Sequence, residues 1–178
     1  MKPESRKILL LTALSLIFMG EVSARHKSAG AAFSPNGISI SYEHFIDEGS
    51  FIEVSMKAEC LDLFFGQSVL PGVSSSFIWN MIISEKLSRN GNLIRFFAGP
   101  GIILGWGKDF LRSPGISFGL KGRVGAECEF ERNITISVGL APVIGLHLQL
   151  IDNYWDMRYS RSGIIAAALP EIGIKYRF

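Results

Sequence analysis

Charged side chains recur at every second position of several stretches whose other positions are apolar. In 116–131, Lys121, Arg123, Glu127 and Glu129 alternate with apolar residues, among them Leu120, Val124, Ala126, Cys128 and Phe130. Successive side chains of a β-strand point to opposite faces, so these charges share one face of a strand. A buried charge needs a partner of opposite sign. We therefore expect an inward-facing ion-pair network of five acids and six bases: Glu53, Lys57, Glu59, Arg95, Lys121, Arg123, Glu127, Glu129, Glu171, Lys175 and Arg177.

The order of these charges predicts which of them meet. Arg95 should lie beside Glu127 or Glu129 if their two segments pair as antiparallel neighbours. A salt-bridged floor near one end of the structure would then contain Arg95, Glu127, Glu129, Glu171, Lys175 and Arg177. Glycines at positions 99, 101, 119 and 125 would leave some room above this floor.

The two cysteines, Cys60 and Cys128, stand among the apolar positions of their segments. We place them near opposite ends of their strands and expect two free thiols that act as small apolar residues, not a disulfide. No group of His, Cys, Asp or Glu has the spacing of a metal site. The sequence therefore predicts no metal and no cofactor.

A stretch that mixes aromatic and charged residues lies in a predicted loop, Ile151–Ser162. Tyr154, Trp155, Arg158 and Tyr159 are the candidate contact residues of this loop, because exposed aromatic and Arg side chains are typical of binding surfaces. The alternative is an aromatic girdle with ordinary charges at its rim.

The elements that must position these residues are β-strands, because apolar and polar residues alternate with a period of two along most of the chain. Turn signals such as Asn90-Gly91 and Asp47-Glu48-Gly49 separate the alternating segments. Pro142 and Pro170 cannot donate to a strand ladder and are interpreted as marks of bulges. The predicted strands are about His26–Ser34, Ile38–Phe45, Phe51–Leu63, Val73–Leu87, Leu93–Trp106, Ile116–Glu131, Ile134–Leu150 and Gly163–Phe178.

The first 24 residues have the pattern of a secretory signal peptide. Lys2, Arg6 and Lys7 precede the apolar run Ile8–Met19, and Val22-Ser23-Ala24 supplies small residues at the cleavage-site spacing. We expect residues 1–24 to be removed and residues 25–178 to form one β-barrel domain. The net charge of +2 and the lack of a nucleic-acid-binding motif argue against nucleic acid as a partner.

The bulk composition allows two all-β architectures. Hydrophobic residues make up 48% of the chain and the mean hydropathy is +0.29, but no later run is long enough for a membrane helix. A soluble β-sandwich also alternates, but its large apolar face needs a second sheet or a helix to cover it, and no amphipathic helix is evident. Short connections near 46–50, 88–92 and 131–133 alternate with long ones near 64–72, 107–115 and 151–162, as in outer-membrane barrels, and the short turn Pro35-Asn36-Gly37 is the exception. We therefore predict an eight-stranded antiparallel up-and-down transmembrane barrel.

The chain resembles the small eight-stranded bacterial outer-membrane barrels, the group that includes OmpX-like proteins and the OmpA transmembrane domain. The resemblance rests on the signal peptide, the alternating connections and the last strand, whose apolar positions include Ile172, Ile174, Tyr176 and Phe178. In that family the last strand is the signal that the insertion machinery reads. The resemblance implies a monomer in the outer membrane that contacts lipids and lipopolysaccharide, with short turns in the periplasm and long loops outside.

Some barrels of this size deacylate or acylate lipid A, so an enzyme is an alternative function for this chain. The deacylase kind places a Ser two residues after its His, whereas Gln149 follows His147 and Ile46 follows His44 at that spacing. We therefore expect no enzyme, and His147 is interpreted as an inward hydrogen-bonding residue near the outer rim.

The predicted function is structural, or adhesion and contact with a host or environmental surface. The alternative is transport of a small hydrophobic molecule, which the inward Phe97 and Ile103 favour and the inward charges disfavour. A soluble periplasmic ligand-binding barrel is the third hypothesis. For the inward charges themselves, the alternative to a static network is a gated ion path, as argued for related barrels.

Overall fold

A computed structural model of the 178-residue chain describes residues 27–35, 37–59, 72–108, 114–130, 133–151, 154–159 and 170–178. Within these ranges no helix is long and apolar enough to cross a membrane. The described residues form ten strand segments: β1 (Lys27–Ser34), β2 (Gly37–Asp47), β3 (Ser50–Glu59), β4 (Gly72–Leu87), β5 (Leu93–Lys108), β6 (Pro114–Phe130), β7 (Ile134–Leu140), β8 (Val143–Ile151), β9 (Tyr154–Tyr159) and β10 (Glu171–Arg177).

The strands pair into one closed antiparallel sheet. β1 to β6 pair in chain order, β6 then pairs with both β7 and β8, and β10 pairs with β7 on one side and β1 on the other. β7 and β8 follow one another along β6 as a single barrel strand, and β9 and β10 together occupy the eighth position. This arrangement confirms the predicted eight-stranded up-and-down barrel, the architecture of the small outer-membrane barrels that the chain resembles.

The alternation of the sequence decides which residues face the lumen. Outward positions carry large apolar side chains that remain exposed, such as Ile83 at 68% and Leu120 at 67%. In the described part of the chain the buried hydrophobic residues are Phe45, Phe51, Ile78, Phe97 and Ala141. Most buried residues are instead Ser, Thr, Asn, Gln, His or charged, so the barrel is polar inside and apolar outside.

The β2–β3 and β4–β5 turns lie at one end of the barrel, called the turn end, together with Lys27 and Phe178, whereas the short β1–β2 connection between Ser34 and Gly37 lies at the opposite end. Gly49 N–H donates to Asp47 Oδ1 at 2.8 Å in the β2–β3 turn. In the β4–β5 turn Gly91 has φ +83°, a left-handed conformation that a glycine adopts without steric cost. The opposite end, where β5 meets β6 and β8 meets β9, is called the loop end.

Two strand pairs reach farther towards the loop end than the sequence predicted. Residues 107–115 were expected to be a loop, but Gly107 pairs with Gly115 and Lys108 with Pro114. The prediction of a loop over 151–162 was wrong for β9, which pairs with β8 from Ile151–Tyr154 to Leu146–Tyr159. Glycine and mixed polar sequence lowered the strand signal there, while the partner strands supply the hydrogen bonds. Residues 60–71, where the predicted third strand ends, lie outside the described ranges.

The prediction of a bulge at Pro142 was wrong. Residues on both sides of Pro142 keep the same register with β6, as the pairs Val124–Leu140 and Lys121–Val143 demonstrate. The bulges lie instead between Phe45 and Asp47 in β2 and between Ile82 and Ser84 in β4. Proline removes a donor without adding a residue, whereas a bulge adds a residue and shifts the register.

Candidate functional site

The lumen near the turn end contains a cluster of buried ions centred on Arg95. The register pairs Arg95 in β5 with Glu127 in β6, and their side chains meet at 3.1 Å between Nη1 and Oε1. Arg95 Nη2 lies 2.9 Å from Glu129 Oε2, and Arg95 Nε donates to Glu85 Oε1 at 2.8 Å. A planar guanidinium with five N–H donors suits this arrangement because it can serve three carboxylates in different directions.

Glu127 links this cluster to strand β10. Lys175 Nζ lies 3.3 Å and Arg177 Nη2 lies 3.6 Å from the Glu127 carboxylate, whose side chain is only 1% exposed. Arg177 also contacts Glu129 at 2.5 Å. Lys175 in turn contacts Glu43 in β2 at 2.5 Å, so the ion pairs connect both sides of the closure between β1 and β10.

Two members of the cluster were missed in the sequence. Glu43 alternates with Ser39 and Ser41 on the inner face of β2, accepts a hydrogen bond from Ser28 Oγ and is 1% exposed. Its alternation was a usable signal. Glu85 gave no such signal, because the bulge after Ile82 changes which residues of β4 face inward and brings Glu85 opposite Arg95.

An aromatic layer lies against these ions. Phe45 stacks on Phe51 with ring centroids 5.0 Å apart, and Phe51 meets Phe97 edge to face at 5.5 Å. The guanidinium of Arg177 lies 4.6 Å and that of Arg95 lies 5.8 Å from the Phe45 ring centroid. Because cations are attracted to aromatic faces, the rings fill the lumen and also stabilise the buried charges.

A second set of ion pairs lies farther from the turn end. Arg123 pairs with Glu53, and Lys57 Nζ lies 2.9 Å from Glu171 Oε1. The prediction that Glu171 belongs to the floor around Arg95 was therefore wrong, because Glu171 pairs with Lys57 at the opposite end of β10 from Arg177. Lys121 Nζ donates to Ser76 Oγ at 3.1 Å.

The space left between these side chains is small. A cavity of about 10 Å³ remains, lined among others by Ser41, Ser55, Lys57, Lys121, Arg123 and Glu171. This is about the volume that the centre of one water molecule needs. The lumen at this level is therefore filled by side chains.

Other predicted residues have simpler positions. The side chain of Glu59 and the whole of Cys60 lie outside the described part of the structure. Cys128 carries a free thiol and is half-buried on the outer face of β6. Across the described ranges, no group of three or more His, Cys, Asp or Glu is arranged to hold a metal ion.

A separate polar group lies near the loop end. Ser117 Oγ and His147 Nδ1 are 2.8 Å apart on paired residues of β6 and β8, and His147 is 1% exposed. Gln149 Nε2 donates to Asp156 Oδ2 at 3.0 Å, and Arg158 Nε lies 2.6 Å from the same oxygen. A Ser–His contact alone is a hydrogen bond and not a nucleophilic site, which also needs an orienting group and an oxyanion hole.

The predicted contact residues Tyr154, Trp155, Arg158 and Tyr159 lie in strand β9 and not in a loop. Arg158, paired in register with His147, keeps 45% of its side chain exposed. On the last strand Ile172, Ile174, Tyr176 and Phe178 all point outward, with exposed fractions between 44% and 57%. Phe178 N–H donates to the Lys27 carbonyl at 2.9 Å, which continues the seam between β1 and β10.

Comparisons with known proteins add little to this description. No protein-family model matches the chain, and no curated protein matches it. The chain is similar to one solved structure, that of Ail, the attachment invasion locus protein of Yersinia pestis. The identity is 15% over 86% of this chain and 99% of that chain, with a TM-score of 0.36.

Proposed function

We propose that this chain is a non-enzymatic bacterial outer-membrane β-barrel with a structural or surface-contact role at its loop end. The observation that carries the proposal is the inverted distribution of apolar residues. A soluble protein of this size buries most of its large apolar side chains, whereas here they remain exposed on every strand around the barrel. Lipid acyl chains would cover such a belt, and a closed barrel leaves no unpaired strand edge within it.

The belt disfavours the soluble periplasmic barrel. Ile102, Leu104 and Trp106 on β5 are 54–61% exposed, and Leu120, Phe118 and Ile116 continue the same surface on β6. A patch that extends around the barrel exceeds the few hundred Å² that soluble monomers usually expose. Without lipid or detergent such a surface would associate with other molecules.

The lumen disfavours transport of a small hydrophobic molecule. Phe97, which favoured that hypothesis, is 1% exposed and packs in the aromatic layer with Phe51. The remaining space at the ion pairs is about that of one water. A ligand would need both the aromatic layer and the ion pairs to move aside.

Two observations support the surface-contact role: the packed lumen, and an exposed charge at the loop end. The aromatic layer and the ion pairs fill the lumen near the turn end, which supports the loop end as the part that contacts partners, and Arg158 is a partly exposed charge on that side. We propose that the loop end contacts lipopolysaccharide or a host or environmental surface. Removal of residues 1–24 as a signal peptide, with residues 25–178 forming the barrel, remains a prediction.

The test is fractionation of cells that express the full chain, followed by gel electrophoresis with and without boiling. We expect the protein in the outer-membrane fraction, with faster migration before boiling because a closed barrel resists detergent unfolding. Recovery in the soluble periplasm without detergent would refute the proposal. Hydrolysis or transfer of acyl chains on lipopolysaccharide by the purified barrel would refute the non-enzymatic part alone.

A further inference from the structure

Two prolines interrupt the hydrogen-bond ladders of the barrel wall in one row of residues, and a glycine lies between them in that row. The registers align Trp79 of β4, Pro100 of β5, Gly122 of β6 and Pro142, which separates β7 from β8. Pro100 and Pro142 are exposed on the outer face, with Gly122 between them. A proline has no N–H, so each one removes a donor from its ladder.

The first interruption lies between β6 and Pro142. Gly122 N–H donates to the Pro142 carbonyl at 2.8 Å. In an antiparallel ladder such a pair exchanges two hydrogen bonds, but Pro142 has no N–H to return to the Gly122 carbonyl. The same register continues on both sides, so one bond is missing in an otherwise regular seam.

The second interruption lies between β4 and β5. The backbone of Gly122 bonds to Pro142 on one side, so it makes no hydrogen bonds to Pro100 on the other side. The hydrogen-bonding groups of Pro100 therefore point towards Trp79 of β4. Because Pro100 has no N–H, the Trp79 carbonyl lacks the donor that another residue would supply. The pairs on either side, Ile78–Gly101 and Met81–Ala98, keep one register. Asn80, the next residue, is 0% exposed, and neither polar atom of its side chain has a partner within the described structure.

The wall differs in construction on the two sides of the row. Towards the turn end, β7 is held by β6 on one side and by β10 on the other. Towards the loop end, and within the described ranges, β8 is joined to the barrel only through β6, and β9 only through β8. The Ser117–His147 contact is a side-chain tie across that β6–β8 seam, while Gln149–Asp156 joins β8 to β9.

We propose that Ala141–Pro142 is a hinge on which the outer hairpin, defined as β8 and β9 (Val143–Ile151 and Tyr154–Tyr159), opens away from β6. Opening begins at the missing bond and widens the loop-end half of the lumen, while the ion pairs below hold the rest of the barrel closed. The inference follows from strand pairing and does not depend on the proposed membrane location.

The experiment is NMR-detected amide exchange of the detergent-refolded barrel, residue by residue. The alternation of the ladder makes Ile136, Val138 and Leu140 of β7 and Ile144, Leu146 and Leu148 of β8 the amides that bond to β6. We expect the β8 set to exchange about tenfold faster than the β7 set, because local opening exposes only the former. Equal protection of the two sets would overturn the hinge.

Pro142→Val separates the hinge from ordinary fraying at the loop end. It restores an N–H opposite the Gly122 carbonyl, so the β8 set should exchange about five- to tenfold more slowly, the factor expected for one hydrogen bond. The β7 set should be unchanged. Ile144→Val, a matched change on the outer face that alters no donor, should leave both sets as in the wild type. Faster β8 exchange that persists unchanged in Pro142→Val would also overturn the proposal.

A second variant covers the case in which Pro142→Val fails to fold. His147→Ala removes the tie to Ser117 and should speed exchange of the β8 set about fivefold or more without affecting β7. If both sets accelerate equally, opening is global and the outer hairpin is not an independent unit. Failure of this inference leaves the membrane proposal intact, since cell fractionation tests that separately.

Discussion

At the scale of single residues, the barrel interior depends on charges that have more than one partner. Arg95 serves three carboxylates and Glu127 serves three cations, and four of these six side chains are at most 10% exposed. Removing one member therefore breaks several ion pairs at once. The cost of an uncompensated buried charge exceeds the benefit of the pair itself, because the remaining ion has no water to solvate it.

Arg95→Ala should lower the free energy of unfolding by about 3–5 kcal/mol, the cost of breaking a buried pair, or less where water reaches the carboxylates. Arg158→Ala is the matched control, because it removes an arginine from an exposed pair and should cost at most about 1 kcal/mol. Urea unfolding of both variants in the same detergent measures the difference. Equal stability of Arg95→Ala and the wild type would mean that the ion pairs do not hold the floor together.

Sequence alternation predicts such a site only where the alternation is unbroken. It places Arg95 and Glu127 on one face of neighbouring strands because β5 and β6 pair without a shift from Leu93 to Lys108. Alternation does not predict whether Glu171 lies in the floor around Arg95. That depends on the position of each residue along the axis of a barrel whose strands are tilted and staggered, and a period of two gives only the face of the strand. Glu85 faces inward only because of a bulge, and a bulge has no signal in an apolar run such as Ile82-Ile83.

At the scale of elements, each of the two bulges accommodates one extra residue in its strand without ending the pairing with the neighbouring strand. Ile83 is the additional residue of β4, is 68% exposed and has no partner in β5, whereas Ile82 pairs with Phe97 and Ser84 with Phe96. The inward residues of β4 are therefore even-numbered before the bulge and odd-numbered after it, which places Glu85 opposite Arg95. The strands themselves were predictable because period two is a local property, whereas their ends depended on partners across the sheet.

Deletion of Ile83 should therefore be tolerated. The shortened β4 would pair regularly, with Glu85 still opposite Arg95, and the protein should still migrate faster before boiling. Deletion of Ile102 in the unbulged β5 is the control, because it moves the following residues to the wrong face and should abolish folding. The prediction fails if the two deletions have the same effect on gel mobility.

At the scale of the whole molecule, the turn end and the loop end differ in ways that suit opposite sides of a membrane. The turn end has tight turns with specific backbone requirements, such as Gly91 with φ +83° and Asn133 with φ +63°. The proposed orientation places this end in the periplasm. The alternating lengths of the connections predicted this arrangement in the sequence, but strand pairing alone is the same in either orientation.

Trypsin added to intact cells tests the orientation. We expect no cleavage at Arg89, which lies in the turn between β4 and β5, because that turn should face the periplasm. Cells with a permeabilised outer membrane, treated in parallel, should be cleaved there. Cleavage at Arg89 in intact cells would require the reverse orientation.

The filled lumen predicts that the barrel does not conduct large solutes. An eight-stranded barrel is only just wide enough for its side chains to fill, and here the aromatic layer of Phe45, Phe51 and Phe97 lies against the ion pairs of Arg95 and Lys175. A hydrated ion would have to displace a packed ring and also separate paired charges. The wild-type barrel in a planar bilayer should therefore give no large, steady conductance.

Phe97→Ala is the variant that tests the plug most directly. Phe97 is 1% exposed and lies beside the cations of both Arg123 and Lys175, so its truncation removes the ring between the two sets of ion pairs. Brief openings should appear in the bilayer recording, while Phe96→Ala, a matched truncation on the outer face, should remain closed. Arg95→Ala should also leak, because the floor then lacks one of the two arginines that join Glu127 to Glu129. A steady wild-type conductance would mean that the ion pairs line an open path, which is the gated alternative to a static plug.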